Sequence, residues 1–168
     1  MEGNPNKRFK SAARACFARP AVLNESGRQP TMTAEFSDNQ GCFICGKNNP
    51  LGLKVGFELD RGKGTAETEV IFPEHLQGWE KVVHGGLLAA LLDETMIYAA
   101  GAAGFRCVTG EITVRYLKPV PTGVPVRAKG RFTGRKGRVV SAEAGLFDHK
   151  EELLARASGK LVRLVQKL

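Results

Sequence analysis

The segment VVHGGLLAALLDETM, residues 82–96, decides the fold. At 100° per residue on a helical wheel, its leucines and Met96 cover most of the circumference. A helix that is apolar nearly all round must be buried nearly all round. We therefore predict one central helix from residue 82 to about residue 100, which ends at Gly101 and Gly104 and is enclosed by a sheet.

The segments on both sides of this helix are typical of β-strands. LKVGFELD and GTAETEVIF predict a hairpin that turns at residues 60–64, because polar and apolar residues alternate in the second segment. Four further segments are rich in β-branched residues and are separated by turn signals: CVTGEITVRYLKPV, VPVRAKGRF, RVVSAEAGLF and LLARASGKLVRL. One helix and about six antiparallel strands predict an α+β fold.

The length of 168 residues fits one domain and a tail. We predict a domain at residues 39–168 and a disordered or weakly ordered basic tail at residues 1–38. An organelle-targeting helix at RFKSAARACFAR is the less favoured interpretation of that tail. With 42% hydrophobic and 25% charged residues, and no apolar run of transmembrane length, the composition predicts a cytoplasmic protein that does not enter membranes.

The net charge of +8 raises the question of a nucleic-acid partner. Residues 1–31 carry six basic and two acidic side chains, so this part contributes +4 and the rest of the chain +4. No nucleic-acid recognition motif is present, and few aromatic residues accompany the basic strands, so we predict no nucleic-acid partner. A local cluster without acidic residues remains to be explained: Arg127, Lys129, Arg131, Arg135, Lys136 and Arg138.

Four cysteines are present, and only Cys42 and Cys45 lie close together, as CFIC. No second CxxC motif and no nearby histidine pair complete a four-ligand zinc site, so the spacing predicts no metal site. Without a visible secretory signal, reduced thiols are expected.

Asp93 and Glu94 interrupt the apolar helix. A buried carboxylate without a partner costs several kcal/mol, and its pKa tends to rise. Asp93 shares a narrow arc of the helix with small residues, which leaves space beside its carboxylate: Gly86, Ala89 and Ala100. The alternatives are a catalytic carboxylate, a cap on a neighbouring strand, or an ion pair with Arg106 or Arg115. Glu94 lies further round and is expected to face solvent or an oligomer partner.

The sequence His84-Gly85-Gly86 stands where the helix is expected to begin. Glycines there leave backbone N–H groups uncovered, and these could stabilise negative charge on a carbonyl oxygen. The ordinary alternative is a tight entry of the chain into the helix.

Taken together, HGGLLAALLDE, GEITVRYLKPVPTG and GRKGRVVSAE resemble the hotdog-fold acyl-CoA thioesterases of the 4-hydroxybenzoyl-CoA thioesterase and phenylacetic-acid-pathway type. The similarity covers roughly residues 42–165. It implies a hotdog fold, in which a long helix is wrapped by an antiparallel sheet, and an acyl-CoA substrate that is hydrolysed without a cofactor. It also implies a homodimer or homotetramer with active sites at the dimer interface.

The resemblance also implies roles for individual residues. Asp93 becomes the catalytic carboxylate, which activates water or attacks the thioester, and the Gly85 amide polarises the carbonyl. Thr109 positions the water or the carboxylate. From its place at the helix start and not from the resemblance, His84 is expected to orient the loop or contact the substrate, with a structural role as the alternative.

For substrate binding, the resemblance implies that the turn Arg135, Lys136, Gly137 and Arg138 meets the phosphates of coenzyme A. Gly86 and Glu94 are expected beside the substrate. Some family members have Asn or Gln six residues before the HGG histidine. That position is Gly78 here, with Gln77 beside it as the candidate. The alternative function is an acyl-CoA-binding or regulatory module without turnover.

Overall fold

The structure is a computed structural model, and it describes residues 38–164 of the chain. The predicted basic tail and the targeting helix therefore lie outside the described residues, except for Asp38, and stay predictions. Within the described residues, no helix is long and apolar enough to cross a membrane.

The described part contains one α-helix, one short 3-10 helix and eight strands. The strands are β1 (Glu58–Asp60), β2 (Thr65–Ile71), β3 (Gln77–Trp79), β4 (Val82–Val83), β5 (Cys107–Tyr116), β6 (Pro125–Lys136), β7 (Val139–Phe147) and β8 (Leu153–Arg163). The α-helix, α1, spans Gly85–Ala102, and the 3-10 helix spans Glu74–Leu76.

Six of the strands form one antiparallel sheet in the order β1-β2-β6-β7-β8-β5. Every strand of this sheet contacts α1, so the sheet surrounds the helix as the sequence predicts. β3 and β4 form a separate pair beside the start of the helix. The α+β prediction is thus confirmed, and the shape follows from the need to bury an almost fully apolar helix.

Two predicted elements differ at their ends. The helix begins three residues later than expected because His84 caps it, and Val82–Val83 pairs with β3 instead. The first predicted strand shortens to Glu58–Asp60, which pairs with β2 across the predicted turn.

The core lies between α1 and the inner face of the sheet, where Leu91, Leu92 and Met96 are fully buried. Helix and sheet come closest at Gly130, where an added Cβ would lie 2.8 Å from the backbone oxygen of Thr95. Only glycine permits this approach without a shift of the helix.

Candidate active site

The start of α1 presents one free backbone N–H group. The Nδ1 atom of His84 accepts a hydrogen bond from the Gly86 amide at 3.0 Å, and the His84 carbonyl accepts one from the Leu87 amide at 2.9 Å. No acceptor among residues 38–164 bonds the Gly85 amide. The Tyr116 hydroxyl donates to the Gly85 carbonyl at 2.8 Å and holds this residue in place. The donor available at the helix N-terminus is therefore Gly85 and not Gly86.

In the middle of the helix, Asp93 is half-buried and has a specific partner. The Thr109 hydroxyl, on β5, donates to Asp93 Oδ1 at 2.6 Å. This donor is a neutral hydroxyl and not a cation. A carboxylate held by one hydroxyl keeps its second oxygen for another donor, such as a water molecule.

Glu94, which was expected to face solvent or an oligomer partner, is half-buried. Its two oxygens accept hydrogen bonds from two thiols, with 3.0 Å to Cys45 Sγ and 3.8 Å to Cys42 Sγ. We call these three residues the Cys–Glu cluster. Burial and the neighbouring Glu94 raise the pKa of the Cys45 thiol to about 12. A hydrogen bond with Cys45 raises the pKa of the Tyr98 hydroxyl as well, with burial as the second cause.

The predicted phosphate-binding turn is an exposed hairpin tip between β6 and β7. Gly137 has φ +60°, and Arg135 donates to the Gly137 carbonyl at 3.3 Å. The Arg135 guanidinium also lies 5.7 Å from the centre of the Phe105 ring, just beyond the end of α1. The cations of this turn and the Gly85 amide therefore stand at opposite ends of the helix within one chain.

Two other predicted features serve local structure. The Gln77 side-chain oxygen accepts a hydrogen bond from the Lys81 amide at 3.0 Å, inside the β3–β4 pair. The strand cations Arg127 and Lys129 form ion pairs with Glu151 at 2.7 Å on the outer face of the sheet. This part of the basic cluster is a solvated surface.

A cavity of about 740 Å³ lies on that same outer face. Its lining includes Lys129, Arg131, Glu143 and Arg156, and it excludes Asp93. Since α1 packs on the inner face, this cavity is separate from the carboxylate.

The amide and the carboxylate are also far apart within the chain. Eight residues separate Gly85 from Asp93, which corresponds to about 12 Å along the helix axis. One thioester carbonyl cannot contact both groups of the same chain.

Sequence reasoning missed four residues that the structure brings to these groups. Tyr116 supports Gly85, Tyr98 supports Cys45, and the CFIC thiols meet Glu94. In the sequence, both the CFIC motif and Glu94 lacked an explanation, and this was the signal that could have suggested a contact between them. Only the fold shows that they meet.

Comparison with known proteins supports the fold. Residues 80–155 match the model of the thioesterase superfamily. No curated protein has a significant match to the sequence. A structure described as the thioesterase superfamily protein RHA08564 is 21% identical, with a TM-score of 0.70, and the alignment covers 96% of this chain and 81% of that one.

Two further structures show the same architecture. The PaaI protein from the E. coli phenylacetic acid degradation operon is 20% identical, with a TM-score of 0.61 over 66% of this chain and 84% of that one. The smu.793 protein of Streptococcus mutans, solved bound to acetyl-CoA, is 16% identical, with a TM-score of 0.62 over 68% and 91% of the two chains. These structures confirm the predicted hotdog fold, and the match of residues 80–155 confirms the predicted resemblance to thioesterases.

Proposed function

We propose that this protein hydrolyses acyl-CoA thioesters to a free acid and coenzyme A, and the match of residues 80–155 to the thioesterase superfamily model supports this proposal. The observation that carries the proposal is the hydrogen bond of 2.6 Å between Thr109 and Asp93, on a helix whose Gly85 amide is free to bind an oxyanion. The structural neighbour from S. mutans, which was solved with acetyl-CoA, supports coenzyme A as the leaving group.

In the proposed reaction, the Gly85 N–H donates to the thioester oxygen as it gains negative charge. Asp93 either takes a proton from a water molecule that attacks the carbonyl carbon, or attacks that carbon itself and is released by water. The C–S bond then breaks, and the sulfur leaves as the coenzyme A thiolate, which takes up a proton. Thr109 fixes the direction of the carboxylate, and the reaction needs no cofactor.

A homodimer brings the two separated groups together. The amide and the carboxylate of one chain are about 12 Å apart, so the carboxylate of one copy must meet the amide of another. Within residues 38–164 the sheet ends at β5, a ten-residue strand that also carries Thr109. Such an edge can continue the sheet into a second copy about a two-fold axis. The basic turn of Arg135, Lys136 and Arg138 is the proposed contact for the coenzyme A phosphates.

Mixed dimers test the shared site. We expect Asp93→Asn and Gly85→Pro each to lower hydrolysis by at least about 100-fold, since each removes one of the two groups. Co-expression of the two variants should restore about a quarter of the wild-type rate, because half of the random dimers hold one intact site of two. If both groups belonged to the same chain, co-expression would restore nothing.

The second candidate function is binding of acyl-CoA without turnover. The half-buried state of Asp93 in an otherwise apolar helix favours hydrolysis, because a pure binding module gains nothing from that carboxylate. The deciding experiment is free-thiol release from short-chain, long-chain and aromatic acyl-CoAs, with calorimetric binding measured in parallel. Thiol release from at least one of them supports the enzyme, whereas binding without release supports the module.

A further inference from the structure

A second polar site lies one residue beyond the proposed catalytic carboxylate and has no part in the proposed hydrolysis. This is the Cys–Glu cluster of Cys42, Cys45 and Glu94. Its sulfur and oxygen atoms all lie within 4.8 Å of one another, and all three side chains are half-buried. Two thiols and one carboxylate from two separate segments thus converge on one small volume.

We propose that the Cys–Glu cluster binds a divalent metal ion that accepts thiolate ligands, and that Zn²⁺ is the ion that fits it best. Two sulfurs and one oxygen suit Zn²⁺, whereas Mg²⁺ and Ca²⁺ prefer oxygen ligands only. In a tetrahedral zinc site the ligand atoms stand roughly 3.5–3.8 Å apart. The observed distance from Cys45 Sγ to Glu94 Oε1 is 3.0 Å, below this range, and the distance from Cys42 Sγ to Glu94 Oε2 is 3.8 Å, at its upper end. Side-chain shifts would therefore bring the ligand atoms to zinc spacing.

The sequence predicted no metal site because it offered only two ligands close together. The third ligand, Glu94, is 49 residues from Cys45 and reaches it only through the fold. When the ion binds, the two thiols lose their protons to solvent and become thiolates. The two thiolates, the carboxylate and the divalent ion together then carry a net charge of −1. No oxidant or reductant takes part.

Neighbouring groups hold the ligand atoms in position, as the outer contacts of metal sites do. The Ile44 amide donates a hydrogen bond to Cys42 Sγ at 3.4 Å. The turn closes at Gly46, where an added Cβ would lie 2.4 Å from the backbone nitrogen of Cys42. Only glycine therefore fits at the end of the CFICG turn.

A bound ion would fasten the segment of residues 42–55 to the middle of α1. Two backbone hydrogen bonds, from Leu53 to Phe43 at 2.9 Å and from Val55 to Ile44 at 2.8 Å, join the two ends of that segment. With three ligands from residues 38–164, a fourth position of the ion is left for water or for another ligand. The proposal goes beyond thioester hydrolysis and does not depend on it.

The test uses the full chain, stripped of metal and kept reduced, and titrated with Co²⁺ alone and with Zn²⁺ alone. We expect one Co²⁺ per chain, thiolate-to-cobalt charge-transfer absorption, and displacement of the cobalt by Zn²⁺. Cys45→Ser and Glu94→Gln should each weaken zinc binding by at least about 100-fold, which exceeds the usual effect of losing an outer contact. Cys107→Ser and Cys16→Ser are the matched controls and should leave binding unchanged.

Three results would overturn the proposal: no charge-transfer absorption in the wild type, binding that survives Cys45→Ser, or binding that disappears in either control. Should the cysteine variants fail to fold, Glu94→Gln decides, because glutamine has nearly the same size and still accepts a hydrogen bond from a thiol. None of these readouts uses thioester hydrolysis, so the metal site and the proposed function fail separately.

Discussion

Proline at position 85 removes one hydrogen-bond donor from the start of α1 and leaves the helix in place. Gly85 is the first helical residue, where proline is tolerated because the N–H has no acceptor within the helix. His84 has φ −62° and ψ 127°, the extended conformation that a residue before proline prefers. The nearest atom to a Cβ at this position would be in the Tyr116 ring, at 3.4 Å, which is an ordinary contact. We therefore expect Gly85→Pro to fold.

The expected loss of activity follows from the geometry of the neighbouring amide. The Gly86 N–H already donates to His84 Nδ1 at 3.0 Å, so it cannot replace the lost donor without giving up the helix cap. Loss of one oxyanion donor costs about 2.7–4 kcal/mol, which lowers kcat by roughly 10²- to 10³-fold. KM should change little, because the donor acts mainly on charge that develops in the transition state.

The assay compares kcat and KM for thiol release by the wild type, Gly85→Pro and Gly85→Ala. Alanine adds the same Cβ and keeps the N–H, so Gly85→Ala should retain kcat within about tenfold of the wild type. Circular dichroism and Tm establish that the variants are folded. The oxyanion assignment is refuted if folded Gly85→Pro turns over as fast as Gly85→Ala.

Three further perturbations test other parts of the account. Thr109→Val should lower kcat by roughly 10- to 100-fold at unchanged Tm, because a hydrogen bond to a charged group is worth about 1.5–3 kcal/mol. Full activity of this variant would contradict the role of Thr109 in positioning the Asp93 carboxylate. The double variant Lys136→Glu, Arg138→Glu should raise KM for an acyl-CoA by about tenfold, because charge-assisted contacts to the phosphates are lost. KM for the N-acetylcysteamine thioester of the same acid, which lacks those phosphates, should not change. An equal effect on both thioesters would contradict phosphate binding. Gly130→Ala should lower the free energy of unfolding, measured in urea, by about 1–3 kcal/mol through overpacking. Gly101→Ala should not lower it, because a Cβ there meets nothing within 4 Å. Equal effects of the two substitutions would contradict the close approach of Gly130 to Thr95.

The elements of the fold could be predicted because each depends on a local pattern. The apolar circumference of residues 82–100 and the alternation in Thr65–Ile71 are properties of neighbouring residues, and the structure shows the helix and the strand there. The short pair of β3 and β4 was not predicted, because three-residue and two-residue strands carry no periodicity.

The candidate site could be predicted only in part. Asp93 and Gly85 were identified from their places on the helix, and the resemblance supplied Thr109, whose contact with Asp93 the structure now shows. The partner of Glu94 could not be identified, because the CFIC turn reaches it from 49 residues away. The use of the Gly86 amide by His84 depends on a side-chain rotamer, which no residue pattern encodes.

The central claim is that the Asp93 carboxylate drives thioester hydrolysis, and Asp93→Asn tests it most directly. Asparagine has the same size and still accepts the Thr109 hydroxyl, so the variant removes only the basic and nucleophilic character of the side chain. With the best acyl-CoA of the panel, we predict that the folded variant loses at least about 100-fold in kcat, as expected for loss of a general base or nucleophile. A folded Asp93→Asn protein that releases thiol at close to the wild-type rate would contradict the account.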